Sequence, residues 1–180
     1  MFEEIRDHGG VVHGAFCQLR CDDEGFVVAA RLTDSSVDDA SVVPDLLEQV
    51  DTPIERFTGD GTYDSAAVYE RVGKAGTPDV AVVVPPRRPA RASEGAEGIW
   101  AQRNDHLRRI VEVGRQAWLK ESGYRKQAGA ENFFFRYKRI LGDRLRARGL
   151  EAQKKEAMVG CNVLNRMYEL GKPESYAVAA

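Results

Sequence analysis

The chain has 180 residues and a mass of 20.0 kDa, with 43% hydrophobic and 30% charged residues, so it is long enough to bury one hydrophobic core. This composition excludes a disordered chain, a collagen-like chain and a small disulfide-stapled domain. The net charge of −2 conceals an uneven distribution, because residues 1–86 carry 6 basic and 17 acidic side chains whereas residues 87–180 carry 20 and 11. Such a split indicates either two halves that attract each other or carboxylates gathered for metal chemistry beside a surface that binds a polyanion.

The sequence gives no sign of secretion or membrane insertion. The N-terminal residues are acidic, unlike a signal peptide, and no stretch approaches the roughly 20 apolar residues of a membrane span. Three cysteines, Cys17, Cys21 and Cys161, cannot all pair with one another, which is typical of a reducing compartment. We therefore predict a cytoplasmic protein.

The first half of the chain predicts alternating strands and helices. Residues 1–15 show no period and predict a lead-in without regular structure. Two short apolar runs, 16–22 and 26–32, flank a turn that contains Gly25 and predict a β-hairpin. Residues 35–38 predict the cap of a helix that carries Pro44 in its first turn.

Two further strands and a helix follow this first helix. Residues 54–58 predict a strand that ends at a Gly-Asp-Gly turn, and Ser65 predicts the cap of a second helix. The continuous apolar run 80–84 is typical of a strand buried on both faces. Residues 85–99 are rich in Pro, Ala, Gly and Arg and predict a flexible loop.

The remainder of the chain predicts helices. Apolar stripes indicate one helix over residues 107–118 with Trp118 in the core, a second over 134–145, and a third over about 151–170 that Gly171 ends. Because strands and helices mix early and helices follow, the sequence predicts a single α/β domain with a helical C-terminal part.

Three acidic residues occupy positions suited to chemistry. Asp22 closes the first hairpin strand and Asp60 sits in the Gly-Asp-Gly turn, and strand ends are where α/β sheets bind ligands. Glu131 shares its helix rows with Phe134 and Lys138, where a buried carboxylate needs a partner or a cation. The alternatives are an aspartate that bonds its own turn, and an exposed helix rim.

The spacing of Tyr124, Glu131 and Lys138 is Tyr-x6-Glu-x6-Lys, and a run rich in arginine follows at 139–148. This pattern resembles the Tyr-Arg-Glu-Lys signature of the DDE transposases encoded by bacterial insertion sequences. The turn at residues 59–64 resembles the second-aspartate motif of the same family.

Other segments resemble this family in the same order, namely residues 32–40, 82–87 and 163–167. The resemblance extends over about residues 16–173, which it identifies as a transposase catalytic domain, with 174–180 as a tail. It implies a ribonuclease-H-like fold, in which helices flank a central mixed sheet.

The resemblance also implies a mechanism. Asp22, Asp60 and Glu131 would be the catalytic carboxylates that hold two Mg²⁺ ions, or Mn²⁺, which activate a water or 3′-hydroxyl at a DNA phosphodiester. The implied partner is DNA, to which the protein would bind on the nucleoid. The resemblance implies no membrane partner and no organic cofactor, and it leaves open a homodimer in the DNA complex. The implied phosphate-contacting residues are Tyr124, Lys138, Arg136, Arg139 and Arg144.

The chain departs from the family pattern in three ways. Gln127 stands at the signature arginine, and a neutral amide cannot replace a guanidinium on phosphate. The strand before Asp22 matches weakly, which leaves Asp23 as an alternative first carboxylate. Residues 1–15 are too short for the N-terminal recognition region of intact members. We therefore expect a truncated copy with weak activity or none.

Three other readings compete with this one. In the first, the chain is a non-catalytic DNA-binding domain that uses only its basic C-terminal helices. In the second, it is a nuclease of the same fold, but the spacing of the signature residues argues against this interpretation. A zinc site of His8, His13, Cys17 and Cys21 has suitable ligands but lacks the paired spacing of common zinc modules, and the cysteines also suit apolar strand positions. Whether the three carboxylates converge discriminates an enzyme from a binding domain.

Overall fold

The computed structural model describes residues 2–7, 15–21, 26–33, 36–124 and 128–171, and within them strands and helices alternate before a helical C-terminal part. The strands are β1 (Phe2–Asp7), β2 (Ala15–Cys21), β3 (Val27–Thr33), β4 (Ile54–Thr58), β5 (Gly76–Val83) and β6 (Arg144–Leu145). The helices are α1 (Asp39–Leu47), α2 (Ala66–Ala75), α3 (Ala101–Val113), α4 (Arg115–Glu121), α5 (Ala128–Ile140) and α6 (Leu150–Leu170). The predicted α/β class is confirmed.

The described strands form two sheets. The larger has the order β3-β2-β1-β6, in which β1, β2 and β3 are antiparallel and β6 runs parallel to β1. The smaller is the parallel pair β4-β5, which α2 connects as a βαβ unit. The hairpin prediction is confirmed by β2 and β3, while a single ribonuclease-H-like sheet stays a prediction.

Two main apolar cores hold these layers together. On the larger sheet, α5 and α6 bury the following side chains: Val27, Ala30, Leu32, Phe133, Phe134, Tyr137, Leu145, Ala157, Cys161 and Leu164. The helices approach closely at Gly160, where a Cβ atom would lie 2.6 Å from the Tyr137 ring. Helix α1 joins the two sheets, because Val42 and Leu46 pack near Ala29 while Val43 and Leu47 enter the core of the β4-β5 unit.

The first two helices begin where the sequence predicts. The Asp38 carboxylate accepts a hydrogen bond from the Ser41 amide at 3.2 Å, and the Ser65 hydroxyl accepts one from the Val68 amide at 3.4 Å. With its cap at Asp38, α1 places Pro44 in the second turn, so the prediction of a first-turn proline is wrong.

Other elements differ from the predictions for tertiary reasons. The prediction that residues 1–15 lack regular structure is wrong for Phe2–Asp7, because this short segment gains β2 and β6 as neighbours. The helix predicted over 107–118 is broken at Gly114, whose φ of +84° is incompatible with helix. Leu145 lies on β6 instead of a helix and is buried against α6.

Side-chain amides occupy two sheet edges. The Asn165 amide accepts from the Val27 N–H at 2.9 Å and donates to the Val27 carbonyl at 2.8 Å, on edge strand β3. The Gln102 amide likewise accepts from the Val82 N–H and donates to the Val80 carbonyl, both at 2.9 Å, on β5. These backbone groups are therefore satisfied without another strand.

None of the helices in the described residues is long and apolar enough to cross a membrane.

Candidate active site

The predicted turn around Asp60 follows β4 directly. Asp60 caps a single 3₁₀ turn, Gly61–Tyr63, and its Oδ1 accepts a hydrogen bond from the Thr62 amide at 2.7 Å. Gly59 is required for this geometry, since a Cβ atom there would lie 2.7 Å from the Tyr63 ring. Asp60 is half-buried, and its Oδ2 accepts no hydrogen bond from any residue that the structure describes. The carboxylate thus bonds its own turn and still presents one oxygen.

Arginines from distant parts of the chain fix this turn. The Arg87 guanidinium donates to the carbonyls of Gly61 and Thr62, both at 2.8 Å, and the Arg87 amide donates to Asp64 Oδ2 at 2.9 Å. Arg103 donates to both Asp64 oxygens, at 2.6 and 3.2 Å. The Asp64 side chain is 1% exposed and that of Arg103 10%. No local pattern in the sequence predicts these contacts, because 39 residues separate Arg103 from Asp64.

Two further carboxylates, Asp38 and Asp39, lie near the turn at the start of α1. Burial, together with the negative charges of Asp38 and Asp60, raises the pKa of Asp39 above its usual value. Burial also raises the pKa of Tyr63 strongly, and Asp39, Asp60 and Asp38 add to that effect. The start of α1 and the Asp60 turn therefore share a region of negative potential.

The remaining predicted carboxylates are less defined. Asp22 lies outside the described residues, and Cys21 before it pairs with Val27 in the hairpin. Glu131 belongs to α5, and its side chain is outside the described part. Among the side chains described, no three His, Cys, Asp or Glu residues are arranged to hold a metal ion. Convergence of the three carboxylates stays a prediction.

The predicted phosphate-contacting residues differ in their surroundings. Arg139 and Arg144 are exposed, whereas Tyr124 and Lys138 are half-buried. Arg136 is turned into the fold: its guanidinium lies 5.2 Å from the centre of the Tyr168 ring and donates to the Leu164 carbonyl at 3.5 Å. 

Two predictions about other residues concern parts that the structure does not describe. Gln127, at the signature arginine, lies outside the described residues, as do His8 and His13 of the zinc alternative. The two cysteines of that alternative, Cys17 and Cys21, belong to β2, which agrees with their reading as strand residues.

Comparison with known proteins agrees with the resemblance seen in the sequence. The family model described as the transposase DDE domain matches residues 3–166, which include both the Asp60 turn and α5. No solved structure matches the chain. Because the match extends over most of the 180 residues, this chain belongs to the transposase DDE domain family.

Proposed function

We propose that this chain is the catalytic domain of an insertion-sequence DDE transposase, in a copy with weak activity or none. Active members of this class hydrolyse DNA phosphodiester bonds and transfer strand ends. The observation that carries the proposal is Asp60, a carboxylate fixed at the carboxyl end of a parallel strand with one oxygen available. It lies within the matched transposase domain. The hydrogen bonds of the exposed Arg87 and of the buried pair Asp64–Arg103 support the turn and reduce the motion of the carboxylate.

The ligands proposed for the metal ions are Asp60, Glu131 and Asp22. Carboxylate oxygens are the ligands that Mg²⁺ and Mn²⁺ prefer, and the negative potential from Asp38 and Asp39 favours a cation beside Asp60. When bound, two such ions supply a nucleophile and stabilise the leaving oxygen of a phosphodiester. The part of this chain is to orient the carboxylates and to hold the DNA.

One contact ties the chain that precedes the helix of Glu131 to β4. The Arg56 guanidinium of β4 donates to the Ser122 carbonyl, which ties the end of α4 to the strand that leads to Asp60. Helix α5 begins a few residues after Ser122 and contains Glu131 near its start. The nine residues from Ser122 to Glu131 can span about 30 Å, so this contact sets only an outer limit on the distance from Glu131 to β4.

DNA binding is proposed to be weak and independent of sequence. Tyr124, Lys138, Arg139 and Arg144 would contact backbone phosphates, which gives affinity without base recognition. Gln127 removes one charged phosphate contact, so we expect faint nicking and no transposition. The protein would act on the nucleoid in the cytoplasm, and a homodimer on DNA is the proposed assembly.

The metal site is tested by a binding measurement and an activity measurement. Mn²⁺ should raise the melting temperature of the wild type and of the control Asp51→Asn, an exposed carboxylate, but not that of Asp60→Asn. Nicking of supercoiled plasmid with Mg²⁺ or Mn²⁺ should be lost in Asp60→Asn and Glu131→Gln. Asp22→Asn and Asp23→Asn, compared in the same assay, identify the first carboxylate.

Two outcomes would contradict the proposal. Unchanged Mn²⁺ stabilisation in Asp60→Asn would remove Asp60 from the metal site. DNA binding with no nicking in the wild type, and no metal-dependent change in melting temperature, would favour the non-catalytic DNA-binding domain.

A further inference from the structure

The segment that follows β5 carries a positive charge that the transposase signature does not include. Residues 84–93 contain Arg87, Arg88 and Arg91 and no acidic residue, and Glu94 and Glu97 follow in the rest of the connection to α3. All three arginines are exposed. Pro85 and Pro86, by contrast, are buried, so the segment is fixed at its start and presents its charges outward.

The backbone of this segment is held in place by side chains of α3 and α4. Arg103 donates to the Arg91 carbonyl at 2.9 Å, and Arg115 donates to the Pro86 carbonyl at 2.8 Å. The Asn104 amide accepts from the Ser93 N–H at 2.9 Å and donates to the Ser93 carbonyl at 2.8 Å. Because the backbone is already ordered, little backbone entropy is lost when a ligand binds to this segment.

The charges of Arg88 and Arg91 are not neutralised within the described part of the chain. Neither guanidinium forms an ion pair there, whereas Arg103 pairs with Asp64, and Arg109 pairs with Glu112 and Glu121. Exposed, unpaired arginines on a fixed backbone suit a ligand with several negative charges, and guanidinium groups match phosphate oxygens in shape.

The position of this segment points to the same DNA that the Asp60 turn is proposed to process. Arg87 bonds the carbonyls of Gly61 and Thr62, the two residues after Asp60. Arg103 also joins the Arg91 carbonyl to Asp64, so the segment from Arg87 to Arg91 is tied at both ends to the turn that Asp60 caps.

We propose that Arg88 and Arg91, with Arg87 at their base, form a second phosphate-binding surface that holds DNA next to Asp60. This surface lies on the β5–α3 connection and is separate in the chain from the signature residues of α5. The proposal rests on the proposed function only in that its ligand is the DNA substrate.

The test measures the affinity of a short DNA duplex by fluorescence anisotropy over a salt series, without added divalent metal. Arg88→Ala/Arg91→Ala should weaken binding about tenfold or more. It should also reduce the slope of log affinity against log salt by about 2, because two phosphate contacts are lost. Arg88→Lys/Arg91→Lys keeps the charge and should keep most of the slope.

The matched control is Arg108→Ala/Arg166→Ala, which removes two exposed arginines elsewhere and changes the net charge equally. An equal loss of slope in this control would overturn the proposal, since net charge alone would then explain the effect. An unchanged slope in the Arg88/Arg91 variant would overturn it as well. Failure of the catalytic proposal is seen separately, because it appears as unchanged nicking in Asp60→Asn, whatever the salt slope.

Discussion

The turn unit, residues 54–103, and the C-terminal unit, residues 128–170, use their charged residues differently. In the turn unit, Arg103 and Asp64 are buried and serve the fold, while Arg88 and Arg91 extend to solvent. In the C-terminal unit, Arg136 is a phosphate contact that the family resemblance implies, but its half-buried guanidinium lies over the Tyr168 ring. The neighbours of a charged residue therefore decide whether it stabilises the fold or is available to bind a ligand.

The largest effect is expected from a substitution that breaks the buried ion pair of Asp64 and Arg103 in the turn unit. Asp64→Ala should lower the free energy of unfolding by about 3–5 kcal/mol, because Arg103 is left buried and without its partner. Urea denaturation measures this change. Asp105→Ala, which removes the exposed partner of Arg108, is the control and should cost less than about 1 kcal/mol.

A double variant separates the ion pair from the packing around it. Asp64→Leu/Arg103→Met replaces both charges and should recover much of the lost stability, since no buried charge is then unpaired. If Asp64→Ala costs no more than Asp105→Ala, the turn is not held by this pair.

A smaller effect is expected when two arginines of the C-terminal unit, Arg136 and Arg139, are compared. Arg136→Ala should destabilise the protein by about 1 kcal/mol, through loss of its contact with Tyr168, and should leave the salt slope of DNA binding unchanged. Arg139→Ala, at an exposed position, should have the opposite effects. The free energy of unfolding should not change, and the slope of log DNA affinity against log salt should fall by about 1. Both variants are compared by urea denaturation and DNA titration. A reduced slope for Arg136→Ala would show that its stack opens when DNA binds.

The smallest expected effect concerns the carboxylates beside the turn. Burial, Asp38 and Asp60 raise the pKa of Asp39 above its ordinary value of 3.8, so Asp60→Asn should lower that pKa. Titration of the side-chain carboxyl carbon by NMR measures the shift, and Asp51→Asn is the control. An Asp39 pKa that is the same in Asp60→Asn would place Asp60 too far away for the shared negative region.

The sign of the accompanying pH dependence follows from the raised pKa. Asp39 binds its proton more tightly in the folded state, so its contribution to stability is fully present below the unfolded pKa. That contribution is lost as the pH rises through the folded pKa, in the range just above the ordinary carboxyl value. Because Asp39 is only half-buried, solvent keeps this effect small.

Local signals predicted the parts of the fold that depend on local chemistry. The caps at Asp38 and Ser65, the strand Ile54–Thr58 and the Asp60 turn each need only a few neighbouring residues, and all four are confirmed. The strand β6 and the pairing of Arg103 with Asp64 depend on residues far apart in the chain. No pattern within a short window contains that information.

The candidate site divides in the same way. The motif spacing is sufficient to identify the transposase family, whereas the role of Asp60 in the site stays a prediction. It did not show that Arg136 would turn toward α6, since that choice is made by Tyr168, on another helix. Asp22 and the side chain of Glu131 lie outside what the structure describes, so their roles stay predictions.

The amides of Asn165 and Gln102 have a consequence for how this chain can assemble. Exposed strand edges invite pairing with the strand of another molecule, which leads to aggregation or to an intermolecular sheet. On β3 and β5 that pairing would have to displace hydrogen bonds that the two amides already make at 2.8–2.9 Å. At Val27 on β3 and at Val80 and Val82 on β5, the two amides therefore act as plugs that oppose the addition of a foreign strand.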